Sequence, residues 1–223
     1  PYIARRYVPE APIVASRTVM NLFGEWSGLS QRMDDPREHV ADQLHPGSWM
    51  HYGPRVRVLP LAANHAPHFD GRELYDGTAD VPRPREPRTA AEWVGGATYT
   101  FLIDFLDESG AVAYRIYYQD AVTAPPTGFA PDVLIEERPV DVAIFVPATF
   151  DQVDWHPEAF VENLQPTRVL LGHWEDFFVP IDTETRSMSL ADISHFESRL
   201  SRVFDGEFWR PEIGTVFRFG PGG

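Results

Sequence analysis

Apolar and polar positions along the chain predict an alternation of strands and helices. Residues 11–15 (Ala-Pro-Ile-Val-Ala) form a short apolar run followed by Ser16, a residue suited to capping a helix that carries Val19, Leu22, Phe23 and Trp26 on its apolar side. Residues 27–54 mix Gly, Pro, Asp and Met without a clean period and predict loop with one or two helical turns. Residues 55–61 alternate polar and apolar as a half-buried strand does, and run into Asn64-His65-Ala66-Pro67-His68. A long excursion follows over residues 70–95, dense in Asp, Arg, Gly and Pro, which reads as a surface loop inside one domain. Residues 98–105 and 112–118 are aromatic and β-branched, and the Asp107-Glu108-Ser109-Gly110 turn between them makes them a hairpin.

Beyond the Pro125-Pro126 turn the rhythm changes. Residues 140–147 are almost continuously apolar, as in a strand covered on both faces, so helices are expected to flank the sheet. A short helix over residues 156–164, with Pro157 at an early position, leads to a strand over 167–172. Ser189-Leu190-Ala191-Asp192 has the spacing of a capping box, with Asp for the usual Glu or Gln. It precedes an amphipathic helix bearing Ile193, Phe196, Leu200 and Phe204. Residues 216–219 alternate as a closing strand. No repeat or low-complexity tract is present, and the pattern predicts a single α/β domain over residues 1–223.

Composition narrows the chemistry. With 43% hydrophobic residues over 223 positions the chain has ample material for a core. There is no cysteine, which excludes disulfides, thiol nucleophiles, iron–sulfur clusters and Cys-ligated zinc, so a metal site must use His, Asp and Glu. The 19 Lys and Arg against 33 Asp and Glu leave a net charge of −14, which disfavours nucleic acid and anionic membranes as partners. No apolar run approaches the ~20 residues of a membrane-spanning helix. The opening Pro1-Tyr2-Ile3-Ala4-Arg5-Arg6 has no initiator Met and no apolar stretch after its Arg pair, so it reads as the start of a cut chain without a visible signal, and the cytoplasm is the default location.

Three polar clusters fall at the ends of predicted strands: Asn64-His65-Ala66-Pro67-His68, Tyr118-Gln119-Asp120-Ala121 and Gly172-His173-Trp174-Glu175-Asp176-Phe177-Phe178. Strand ends of an α/β domain are where side chains converge on a crevice, and two or three His with an Asp suit zinc, manganese or iron. Each cluster has a plainer reading. His65 and His68 read singly as loop histidines bonded to backbone carbonyls, Asp120 as a turn former, and His173 as held by Glu175 or Asp176. Trp174, Phe177 and Phe178 read as core or cleft-wall aromatics, Tyr117 and Tyr118 as sheet packing, and His39, His45, His51, His156 and His195 as surface or cap residues.

The order of these features over residues 55–180 resembles the C-terminal half of the metallo-β-lactamase fold superfamily, nearest its lactone and phospholipid hydrolases. The resemblance implies an αββα sandwich of two mixed sheets flanked by helices, here lacking its N-terminal strands. It implies two divalent metals, zinc foremost with manganese or iron as the other options, and a metal-bound hydroxide acting on a small-molecule ester, lactone or phosphodiester. By position His65 would be a ligand of the first metal, with His68 as its fallback. Asp120 would be the bridging carboxylate that orients the nucleophile, and His173 a ligand of the second metal. Trp174 and the 70–95 excursion would line the cleft. The His-x-His-x-Asp-His loop of that superfamily does not occur in this chain. The competing expectation is therefore a scaffold or binding module without a complete metal site, with a single-metal arrangement of His65, His68 and Glu175 or Asp176 ranked last.

Overall fold

The computed structural model describes residues 2–219 apart from 69, 181 and 190, and the side chains from residue 4 onward. It is an α/β fold built on one large mixed sheet. Its seven strands lie in chain order: β3 (Met50–His51), β4 (Val56–Ala63), β5 (Thr98–Leu106), β6 (Val112–Tyr118), β7 (Val142–Phe145), β8 (Arg168–Leu171) and β9 (Glu207–Trp209). Pairing is antiparallel from β3 to β6 and parallel from β6 to β9. The expected β5–β6 hairpin is present, turned by Asp107, whose side chain accepts hydrogen bonds from the Ser109 and Ala111 amides.

Register explains the two faces. One row across the sheet reads Leu59, Leu102, Tyr117, Ala143, Val169 and Phe208, and helices cover this side. These are α3 (Asp132–Glu137), α4 (Glu158–Leu164) and α5 (Ile193–Val203), which contribute Ile135, Phe160, Leu164, Phe196 and Leu200 to the same core. Fully burying Phe145, Phe160 and Phe196 contributes roughly 2–3 kcal/mol each. The neighbouring row, Pro60, Phe101, Tyr118, Ile144, Leu170 and Trp209, points the other way because strand side chains alternate. That second face is apolar yet largely half-buried, and Phe105 on it is 41% exposed. A second large sheet is not among the described residues.

The N-terminal part forms a smaller layer. α1 (Tyr2–Arg6) is tied down by Arg32, whose guanidinium donates to the Ala4, Val8 and Ala11 carbonyls. β1 (Ile13–Val14) pairs in parallel with β2 (Met33–Asp34). α2 (Arg17–Phe23) is capped as expected, with Ser16 Oγ accepting from the Val19 amide. Gly24 ends it at φ +40°, where an added Cβ would sit 2.4 Å from the Arg83 carbonyl oxygen, so only glycine lets the 70–95 excursion lie against this helix. Asn21 fixes the same contact by donating to Ala79 O at 2.6 Å while its own carbonyl accepts from the Arg83 amide. The excursion, free of α-helix and of β-strand, is thus strapped to α2.

Two expectations are corrected, and one helix is added. Residues 216–219 do not form a strand: Glu207–Trp209 occupies the free edge of β8, and Phe217 and Phe219 instead pack their rings at a tilt against Trp209, at 5.6 and 5.8 Å. The N-cap of α5 is Asp192 and not Ser189, because Asp192 Oδ1 accepts from the His195 amide at 2.9 Å; Leu190 lies outside the described residues. α3, unmarked in the pattern, is held by β6: Arg115 donates to its carbonyls at Leu134 and Arg138, at 2.5 and 2.8 Å. Among the described residues no helix is long and apolar enough to cross a membrane.

Candidate functional site

β4, β6 and β8 run in the same direction, so the three polar clusters that follow them emerge at one edge of the sheet. Backbone contacts stitch the first two together. The Ala66 amide donates to Val122 O at 2.7 Å, and the Asn64 amide donates to Thr123 Oγ1 at 3.0 Å. Asn64 Oδ1 in turn accepts from the Thr123 and Thr127 hydroxyls at 2.6 and 2.8 Å. The third cluster reaches the second through His173, whose Nδ1 lies 3.1 Å from the Asp120 carbonyl oxygen and 4.0 Å from Asp120 Oδ1. His173 sits at φ +51°, a left-handed backbone that bends the chain out of β8.

Hydrogen bonding sets what each donor offers. His65 Nδ1 is 2.7 Å from Ala66 O and His173 Nδ1 faces Asp120 O, so in both rings the proton belongs on Nδ1 and the Nε2 lone pair is left outward. His68 has the opposite tautomer, because its Nδ1 accepts from the Leu74 amide at 3.1 Å. Its ring stacks on His65 with centroids 4.5 Å apart, and its pKa is lowered, first by burial and then by the adjacent His65, with Glu73 working against the shift. Asp120 is exposed, and its Oδ1 accepts from the Tyr118 hydroxyl at 3.0 Å. Burial, reinforced by the Asp120 charge, raises the Tyr118 pKa and keeps that hydroxyl a donor.

The remaining nominees are committed elsewhere. Asp176 pairs with Arg186 at 2.8 Å, and that hydrogen bond lowers its pKa. Glu175 Oε2 accepts from the Trp174 amide. Trp174 is not a cleft wall: it is buried, its indole donates to Pro211 O at 3.0 Å, and Arg210 lies over its ring. Phe177 and Phe178 are not core; they are 55% and 83% exposed, with Phe177 edge-on to His173 at 5.2 Å. Of the excursion, its first turn touches the site, through the His68 amide on Arg72 O and the Leu74 amide on His68.

Two buried polar groups gave no signal in the sequence. Gln119, 1% exposed and next to Asp120, has no hydrogen-bond partner on either amide atom. His156 is neither a surface nor a cap residue: it is fully buried among Phe145, Phe160 and Phe196, and neither ring nitrogen makes a well-formed hydrogen bond. Burial pushes its pKa down from 6.5 to about 4, with the Val146 backbone opposing in part.

As a metal site the arrangement is incomplete. His65, Asp120 and His173 each present a suitable atom at one edge, yet among the described residues no group of three or more His, Asp or Glu is placed to hold a metal ion. Catalytic zinc takes about three protein ligands, so no catalytic step can be assigned to a metal held by these residues alone. No family model matches the chain, and no curated protein matches it significantly.

Proposed function

We propose that this chain is part of a metal-dependent hydrolase of the metallo-β-lactamase type, in which His65, Asp120 and His173 are a partial donor set that residues outside these 223 complete. The observation that carries the reading is the convergence of three strand-end loops at one sheet edge, with His65 and His173 both tied to backbone carbonyls through Nδ1. A hydrogen bond of that kind on the far ring nitrogen is what fixes a metal-binding imidazole with Nε2 free. The half-buried apolar sheet face supports the same reading, since a second mixed sheet packed on it would make the αββα sandwich. Two divalent metals, zinc foremost, would supply a hydroxide toward an ester, lactone or phosphodiester. This chain's own residues would orient: Tyr118 steadies Asp120, and the Asp120 carbonyl holds the His173 tautomer.

The opposed tautomer of His68 makes His65 the donor of the pair. Titration of the protein with Mn²⁺, read by broadening of the imidazole signals of its 8 histidines, tests the reading. Broadening of His65 and His173 before His68 supports it. Broadening that begins at His45, which pairs with Asp42 on the surface, or none at all, counts against it.

The second reading is a scaffold without turnover, favoured by the spread of the donors. Elemental mass spectrometry of the zinc-loaded protein, with the residues that complete the donor set present, separates the two. A metal-to-protein ratio near two supports the hydrolase, and a ratio near zero supports the scaffold.

A further inference from the structure

Three depressions on the helical side of the sheet run into one another around Phe129. The largest, about 660 Å³, lies between the Pro125-Pro126 turn, α4 and α5, and is lined by the apolar groups of Trp155, Ala159, Val161 and Val203. A second, about 350 Å³, continues over Phe129 toward α3 and is bordered by Asp132, Glu136 and Glu162. The third, about 200 Å³, opens from Phe129 and Pro126 toward Asp42 and Leu44. Within this groove Trp155 is 71% exposed and Leu44 86%. Trp155 is also held at φ +62°, a backbone region that bulky residues rarely adopt. Contiguous apolar surface rimmed by polar residues is the usual form of a protein-binding site.

Charge identifies the occupant. Among the described residues Asp132, Glu136 and Glu162 have no cation within ion-pair distance, and Asp132 receives only a long 3.4 Å hydrogen bond from Asn163. Glu158, which also lines the largest depression, is already matched by Arg199 at 2.6 Å. A second copy of the chain would bring −14 against −14, and an anionic bilayer is repelled for the same reason. The groove runs between helices, the geometry in which an amphipathic helix lays its apolar stripe.

We infer that this groove docks a basic amphipathic helix of a protein partner, its apolar stripe on Phe129, Trp155 and Val203 and its Lys or Arg residues against Asp132, Glu136 and Glu162. The inference is independent of any metal at the sheet edge.

The test uses three synthetic labelled peptides read by fluorescence anisotropy: a Leu/Lys helix with Leu at i, i+3, i+4 and i+7, the same residues scrambled, and a Leu/Glu counterpart. The striped basic peptide is expected to bind at least about tenfold more tightly than the scrambled one, and the acidic one not at all. Trp155→Ala is expected to weaken binding by about tenfold or more. Glu162→Lys, a surface change, is expected to weaken it and flatten its salt dependence, which keeps the test valid should Trp155→Ala fold poorly. Equal binding of the scrambled or acidic peptide, affinity unmoved by both substitutions, or no binding of the striped peptide at millimolar concentration would overturn the inference.

Discussion

β6 carries an acid–base pair at each end, and the two are built to opposite specifications. Toward its start Arg115 is wholly buried against Asp104 on β5, with contacts of 2.7 and 2.9 Å. Arg57 adds a further contact to the same carboxylate, and Trp49 lies over the Arg57 guanidinium at 4.2 Å. Just past its end Asp120 and His173 stand 4.0 Å apart with side chains 71% and 33% exposed, each held by one hydrogen bond at the site. In the first pair both carboxylate oxygens are used, one of them shared with Arg57 on β4, and four of the five guanidinium N–H groups of Arg115 donate, two to Asp104 and two to the Leu134 and Arg138 carbonyls. In the second, lone pairs are left over. A saturated buried pair can only hold the sheet to its helix, whereas an unsaturated exposed one can still accept a ligand.

The widest gap between the two ends should come from truncation. Asp104→Ala leaves the buried Arg115 guanidinium and the half-buried Arg57 guanidinium without their carboxylate, and a loss of about 3–5 kcal/mol is expected in urea unfolding, enough to unfold a marginal domain. Replacing both partners, Asp104→Leu with Arg115→Met, should not restore full stability. The Arg138 carbonyl would lose its side-chain donor, at about 1–3 kcal/mol, and the Leu134 carbonyl would keep only the Arg138 amide. Wild-type stability in that double variant would show that the α3 contacts are incidental.

Next in size is an effect of pH on the closed part of the molecule. His156 has a folded pKa of about 4 against 6.5 unfolded, so below pH 6.5 the unfolded chain binds a proton that the folded one refuses. Its contribution is complete above pH 6.5 and is lost as pH falls toward 4, amounting to about 3 kcal/mol. Urea midpoints measured between pH 7 and 4 should decline, and His156→Phe should flatten the decline. An unchanged slope in that variant would move the effect to other groups.

At the open end the effects on stability shrink while those on ligand binding grow. Asp120→Asn and His173→Ala are each expected to change unfolding free energy by less than about 1 kcal/mol, yet to reduce Mn²⁺ broadening at the remaining partner. A loss as large as that of Asp104→Ala would erase the contrast. Smallest of all, Phe178→Ser on the exposed ring should stay within about 0.5 kcal/mol, as thermal melts will register.

What was legible in the sequence follows the same division. The strands from β4 to β8 were readable because alternation and apolar runs record burial directly, and the three strand-end clusters were readable as one edge once β4, β6 and β8 were known to run in parallel. The rest depends on partners distant in the chain. The six residues of α3 are too short to show a helical period and are held by Arg115 from another strand. Glu207–Trp209 is a strand because β8 has a free edge, while residues 216–219, with the better pattern, find that edge taken. Trp174 and Phe178, four positions apart in one motif, end buried and bare, and local pattern does not distinguish them. Nor does it mark His156 as a core residue, because its environment is assembled from β7, α4 and α5.

The switch from antiparallel to parallel pairing at β6 also dictates an order of assembly. Tight turns join the two-residue β3 to β4 and the long β5 to β6, and of the two only the β5–β6 hairpin is long on both strands; hairpins of that kind close in about 1–10 μs. β4 must bridge residues 64–97 to join them, and each parallel strand waits for a crossover. The hairpin is therefore the natural nucleus, with Leu102 and Tyr117 at high φ-values and Phe208, on the last strand to dock, near zero. The strand that carries Asp120 would then be in place before the strand that brings His173, so the open end of β6 is the last part of the sheet edge to acquire its geometry.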